Sequence, residues 1–289
     1  MTSNCEELRL RLPHIELAAQ VYGPQEGKPV IALHGWLDNA ATYARLAPQL
    51  QGLRIVALDF AGHGLSEHRP AGGSYAILDY VYDVLQAAEF LQWDKFSVIG
   101  HSMGAIVGLL LAGGLPERIE RLALIDGVTP HTLEAEGAPE RFGDALNAQL
   151  RLAKKRKTVH PEFRRAVEMR MNGMTSVSLE AAQFLAARGL LEVPGGYSWS
   201  TDSRLTLPSK LLLTHAQAMA FAKRVACPVS LVVAEQGILL GKAKAGYEKV
   251  IRELDFAVTT LPGGHHLHLD DEAGARLVAD CFNRFMQSS

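Results

Sequence analysis

The sequence predicts an α/β protein built on a mostly parallel, doubly wound sheet. Three observations lead there. Four short apolar runs, Val30–Leu33, Ile55–Leu58, Phe96–Ile99 and Leu122–Ile125, are continuous rather than alternating, as expected of parallel strands buried on both faces. Helix-like stretches at Ala40–Leu50, Ile77–Leu91 and Met103–Ala112 separate them, and such a β-α-β-α rhythm implies right-handed crossovers onto one sheet. Between the third run and its helix stands Gly100-His101-Ser102-Met103-Gly104, a sharp turn whose glycines let the chain double back.

The remaining elements follow in chain order. Leu8–Leu12 and Ile15–Val21 predict an antiparallel pair at the start of the chain. The strand rhythm breaks after Asp126, and residues 128–213 are helix-rich and more charged. So long an insertion exceeds a plain connection in a compact domain. It is expected to be a helical cap on a core formed by residues 1–127 and 214–289. Its basic run, Arg151, Lys154, Lys155, Arg156 and Lys157, reads as a solvated helix face rather than an anion site, given the near-neutral overall charge. Strands resume at Pro228–Ala234 and Phe256–Leu261, and a helix over Glu272–Met286 ends the pattern.

Composition narrows the function classes. The 289 residues are 48% hydrophobic and 21% charged with a formal net charge of −2, which gives neither a basic nucleic-acid footprint nor an acidic disordered chain. Cys5, Cys227 and Cys281 lie far apart without a Cys-x-x-Cys spacing, so neither a disulfide framework nor a zinc site follows. No apolar run approaches the roughly 18 residues of a membrane span, and Met1–Arg9 lacks the apolar core of a signal peptide. A cytoplasmic enzyme acting on a small molecule, with no metal or organic cofactor and an open oligomeric state, is the expected class.

Gly-x-Ser-x-Gly between a strand and a helix is a nucleophile elbow, a strained turn that lifts the serine Oγ above the sheet edge. Ser102 needs a base to take its proton, and the base needs a third group to orient it. Such groups belong at the C-terminal ends of strands, where open α/β sheets place their ligands. His265 follows the last strand directly after Gly263-Gly264 and is the expected base, with His266 and His268 as alternatives. The oxyanion of an acyl intermediate needs two fixed N–H donors. Met103, opening the helix, and Trp36, in the His34-Gly35-Trp36 loop after Val30–Leu33, are positioned to supply them; His34 itself reads as a loop hydrogen-bonding residue.

His34-Gly35-Trp36, Asp59-Phe60-Ala61-Gly62-His63-Gly64-Leu65-Ser66, Gly100–Gly104 and Gly263-Gly264-His265 resemble, in that order, the motifs of the α/β-hydrolase superfamily. Gly196-Tyr197-Ser198-Trp199 with Asp202, Arg204 and Leu205, together with Gly263–Leu267, look most like the serine-hydrolase-like proteins within it. The resemblance implies an α/β-hydrolase fold with an inserted cap, and a structural role for Asp59–Ser66 as a loop beside the active site. It also implies an acid just after the strand that follows the cap. That position falls on Gly237, so this chain departs from the pattern. Two replacements are open: Asp126, ending Leu122–Ile125 where some branches of the superfamily carry their acid, is the expected acid, and Glu235, nearer the usual place, is its rival.

The expected activity is hydrolysis of a small to medium carboxylic ester through an acyl-enzyme on Ser102. A carbon–carbon bond hydrolase would use the same residues, whereas haloalkane dehalogenases and epoxide hydrolases need an aspartate where Ser102 stands. A catalytically weak ligand-binding or interaction protein on the same scaffold is the alternative from another class. Trp36, Tyr43, Phe142, Met169, Met171, Tyr197 and Trp199 offer apolar surface for a substrate cleft, though Met169 and Met171 equally fit the interior of the cap.

Overall fold

The computed structural model describes residues 5–152 and 156–287. The chain runs through β1 (Glu6–Arg11), β2 (Glu16–Tyr22), β3 (Lys28–Leu33), β4 (Leu53–Leu58), α1 (Ile77–Phe90), β5 (Phe96–His101), α2 (Met103–Gly114) and β6 (Ile119–Ile125). Next come α3 (Ala138–Leu152), α4 (Phe163–Met171), α5 (Leu179–Gly189), the hairpin β7 (Leu190–Val193) and β8 (Gly196–Trp199), and α6 (His215–Arg224). It ends with β9 (Val229–Gln236), α7 (Lys244–Ile251), β10 (Ala257–Gly264), α8 (Leu267–Asp270) and α9 (Glu272–Gln287).

An eight-stranded sheet has the order β1-β2-β4-β3-β5-β6-β9-β10. β1 and β2 pair antiparallel from Glu6↔Val21 to Arg11↔Glu16, and β2 pairs antiparallel with β4, while every other neighbour is parallel. Opposite parities along each central strand feed opposite layers. Ile31, Val56, Val98, Leu124 and Val233 join one apolar cluster, and Val30, Ile55, Ile99, Ile125 and Ala234 join the other. Both faces are therefore buried, which is why the strands read as unbroken apolar runs. Fully burying one such side chain contributes about 1.5–3 kcal/mol. The chain leaves β3 toward β4 on one side and returns to β5 on the other, so the sheet's switch point lies between the C-terminal ends of β3 and β5.

Two elements differ from expectation. Residues 40–50 form two 3-10 turns, Ala40–Tyr43 and Ala47–Gln49, instead of one helix. Pro48 has no N–H to continue a helix; the Ala40 and Ala41 N–H groups, which open the first turn, are capped by Asp59 Oδ1 (2.7 Å) and Asn39 Oδ1 (3.1 Å). The stretch after β6 carries, besides its helices, the β7–β8 hairpin, turned by Gly195 and Gly196 at φ +92° and +136°.

That stretch has its own small core of Val167, Val177, Ala181, Ala182, Leu185 and Ala186, closed by Leu269 of α8. Met171 and Trp199 pack against it, whereas Met169 is 52% exposed. Lys154 and Lys155 lie outside the described residues. Arg151 and Arg156 are exposed, and Lys157 Nζ donates to the Trp199 and Ser200 carbonyls. Among the described residues no helix is long and apolar enough to cross a membrane.

Candidate active site

Ser102 sits between β5 and α2 with φ +53° and ψ −115°, a strained backbone for a non-glycine residue. Its glycine neighbours make the turn sterically possible. A Cβ on Gly100 would come within 2.6 Å of Ala105 N. One on Gly104 would overlap the Leu33 carbonyl and lie 2.8 Å from the His34 carbonyl. Gly104 thus lets α2 begin directly against the end of β3. The Ser102 N–H is held by the Ile125 carbonyl (3.0 Å), and among the described residues its side chain makes no capping bond to α2.

His265 follows β10 in the turn opened by Gly263, whose φ is +124°. Its Nδ1 lies 2.6 Å from Asp126 Oδ2, and both residues are buried. A carboxylate can only accept, so Nδ1 carries the proton, and in the neutral ring the lone pair is on Nε2. The His265 carbonyl accepts from His101 Nε2 at 2.9 Å, which ties the turn to the residue preceding Ser102.

Asp126 directly follows β6 at φ +42°, a left-handed conformation that Asp tolerates better than most residues. Besides His265 it accepts from Ile238 N–H (2.8 Å, Oδ2) and Ala234 N–H (3.3 Å, Oδ1). These donors belong to the end of β9 and the loop after it, where the resemblance places the acid. A Cβ on Gly237 would fall within 2.6 Å of Asp126 Cγ and overlap Oδ2. The Asp126 carboxylate therefore fills the space beside Gly237. Glu235, the rival acid, is exposed and makes no bond to His265 among the described residues. Sequence reasoning noted Gly237 as a gap; it missed that the gap is the room Asp126 needs.

The loop after β3 packs on the elbow, since a Cβ on Gly35 would lie 3.0 Å from His101 Nδ1. His34 is fully buried, and its Nε2 accepts from the Phe60 N–H (3.0 Å), so its Nδ1–H donates to the Gly35 carbonyl at 2.7 Å. Burial lowers its pKa to about 4, outweighing that bond and the nearby Asp38, so His34 stays neutral and structural. Gly35 O and Trp36 N–H belong to one trans peptide and point opposite ways. Fixing the carbonyl thus fixes the direction of the Trp36 N–H. Neither that N–H nor the Met103 N–H donates to a protein acceptor among the described residues.

The two alternative bases are occupied elsewhere: His266 Nε2 lies 2.9 Å from Asp38 Oδ2, and His268 Nε2 lies 3.0 Å from Thr42 Oγ1. Asp38, His101 and His266 bring three possible metal-ligand atoms within 4.8 Å of one another. A cation already stands there, because Arg170 Nη2 donates to Asp38 Oδ1 at 2.7 Å and lies 3.3 Å from His266 Nε2. Burial opposes ionisation of Asp38, but His266 and Arg170 outweigh it and hold the carboxyl well below the usual range. Asp38 and Arg170 escaped the sequence reading because only the fold brings them together.

Other expected residues are structural. Asp59 accepts from the Ala40 and Leu65 N–H groups and from Arg188 Nε, and Ser66 Oγ donates to the Asp59 carbonyl at 2.6 Å. Tyr43 is 1% exposed with its hydroxyl bonded to the Leu33 carbonyl, so it belongs to the core and not to a cleft. Asp202 caps the 3-10 turn Ser203–Thr206, and the Leu205 carbonyl in that turn receives the Trp36 indole N–H at 2.9 Å.

Comparison with known proteins agrees with this architecture. The alpha/beta hydrolase fold family matches residues 28–159. A serine hydrolase-like protein of Danio rerio is 33% identical over 97% of this chain and 89% of its own length. The crystal structure of a hypothetical protein from Pseudomonas aeruginosa PAO1 is 61% identical, with a TM-score of 0.95 across 98% of this chain and all of that one. A thioesterase domain from the curacin biosynthetic pathway is 25% identical with a TM-score of 0.80, covering 96% of this chain and 99% of its own. Likeness across nearly the whole length, on a doubly wound sheet with a strained serine turn at its switch point, makes this chain a member of the α/β-hydrolase family, among its serine hydrolase-like proteins.

Proposed function

We propose that the protein is a serine hydrolase cleaving small to medium carboxylic esters through an acyl-enzyme on Ser102. The observation that carries this is the buried 2.6 Å bond from His265 to Asp126, on a turn tied by His101 to the elbow. In this mechanism Ser102 Oγ attacks the ester carbonyl while His265 Nε2 takes its proton. The Trp36 and Met103 N–H groups receive the oxyanion, and being free beforehand they need no rearrangement as charge develops. His265 then protonates the departing alcohol and, in the second half, activates the water that releases the acid. Asp126 keeps the imidazole in the required tautomer and stabilises its charged form. No step calls for a metal or organic cofactor.

Residues 128–213 act as a cap that shapes the acyl pocket over Ser102, and the enzyme works in the cytoplasm. Likeness to a thioesterase domain supports acyl chemistry on this framework. The Gly237 departure was the one sequence feature favouring a silent ligand-binding protein, and Asp126 beside it supports activity instead. A fluorophosphonate probe tests the assignment. Labelling of the folded protein that disappears in Ser102→Ala is expected; folded wild-type protein that neither labels nor hydrolyses p-nitrophenyl acetate would exclude it.

A further inference from the structure

Asp38 is a buried carboxylate that no step above uses. It stands two residues after Trp36, and the residue between them is held in an unusual state. Leu37 has φ +62°, a left-handed backbone that a leucine rarely adopts and keeps only where its surroundings over-determine it. The surroundings are three anchored side chains. Trp36 Nε1 donates to the Leu205 carbonyl (2.9 Å), and Asn39 Nδ2 donates to the Leu185 carbonyl (2.9 Å). Between them, Asp38 accepts from Arg170 at Oδ1 and from His266 at Oδ2.

The Asp38 backbone adds a further hold. Its N–H donates to the Gly35 carbonyl (3.2 Å), the same oxygen that His34 grips and the opposite end of the peptide carrying the Trp36 N–H. The partners of its carboxylate come from two other places. His266 is the neighbour of His265, and Arg170 lies on α4, where its Nη1 donates to the Thr175 carbonyl (3.0 Å). One carboxylate thus joins the loop bearing an oxyanion donor, the turn bearing the base, and a helix of the inserted segment.

We propose that Asp38 is a positioning residue whose grip on His266 and Arg170 holds the Trp36 N–H and His265 in register across Ser102. It rests on the serine-hydrolase assignment. Small displacements of groups that position the reaction lower turnover without abolishing binding, so the effect falls on kcat rather than KM.

The test uses p-nitrophenyl acetate turnover and fluorophosphonate labelling. Asp38→Asn alone leaves Arg170 as an uncompensated buried charge, so the informative variant pairs it with Arg170→Met, which removes both charges. With a melting temperature near wild type, the double variant is expected to lose at least about tenfold in kcat, with KM within about threefold and slower labelling of Ser102. A folded double variant with wild-type kcat overturns the proposal, because a merely structural carboxylate is fully replaced once folding is restored. Should the pair fail to fold, His266→Asn reads the same contact from its other end. There a kcat reduced about fivefold or more at constant KM supports the role, and an unchanged kcat overturns it. Folded wild-type protein inert to both reagents is a separate result that removes the hydrolase assignment and this proposal with it.

Discussion

Gly237→Ala is the sharpest perturbation of the proposed acid, because it adds one methyl group and replaces no functional side chain. The new Cβ would lie 2.6 Å from Asp126 Cγ and overlap Oδ2, whereas real Cβ contacts almost never fall below 3.0 Å. The carboxylate must therefore move, and Oδ2 is the atom that holds both His265 Nδ1 and Ile238 N–H. Losing the orienting acid of a triad lowers kcat by up to about 10⁴, or about 5.4 kcal/mol at ~1.36 kcal/mol per decade. Leaving buried N–H donors without a partner costs about 1–3 kcal/mol each, so a lower urea midpoint accompanies the lost activity. The assay is p-nitrophenyl acetate turnover beside a urea titration, with Gly246→Ala as control, since a Cβ there meets nothing within 4 Å. A Gly237→Ala protein within threefold of wild-type turnover would refute the idea that the acid acts from the space beside Gly237.

Three other expectations follow from the same geometry. Asp126→Asn should lower kcat by up to about 10⁴ while Glu235→Gln stays within twofold, and the reverse pattern in those turnover measurements would move the acid to Glu235. His34→Ala removes the shorter of the two hydrogen bonds that hold the Gly35 carbonyl and should cost up to about 10²–10³ in kcat with a smaller change in KM, the range for loss of one oxyanion donor; undiminished turnover would mean that His34 does not position the Trp36 N–H. Acid should unfold the protein early. Burial lowers His34 to about 4 and His63 to about 3, and drives His101 and His268 well below the ordinary value. Unfolded histidines take up protons below about pH 6.5 that these four refuse, so stability is intact above that pH and falls as pH drops toward 4. The slope approaches about 1.4 kcal/mol per pH unit per histidine, and a urea midpoint that stays flat from pH 7 to 5 would contradict it.

The central strands were legible because burial on both faces writes a local pattern into the chain, short runs that are apolar throughout save for Ser97. The elbow was legible as a five-residue motif: Gly100 is demanded by Gly104 and Ala105 close by, whereas Gly104 answers to the Leu33 and His34 carbonyls across the fold. Residues 40–50 misled because alanine-rich composition favours a helix, while Pro48 within the stretch has no N–H to continue one. The β7–β8 hairpin hid in strands of four residues with no clear alternation, although Pro194-Gly195-Gly196 carried a turn signal. Asp126 was readable as a carboxylate at a strand end. Its preference over Glu235 rested on that place and on the resemblance, while the bond itself depends on a fold that brings His265 to Asp126 across a sequence separation of 139. The Asp38–His266–Arg170 junction left no trace in the sequence because its members share no period and no motif.

β10 forms one edge of the sheet, paired to β9 alone, and most of its residues are exposed or only half-buried. Ser102 and Asp126 instead end β5 and β6, central strands enclosed by both apolar layers. The three residues of the proposed triad therefore ride on parts of unequal local stability. An edge strand opens by fluctuations far smaller than global unfolding, and opening here would carry His265 away while leaving nucleophile and acid in place. On the proposed mechanism, catalytic competence depends on how well one margin stays closed, and its loss is expected while amide hydrogens deep in the sheet remain protected from exchange.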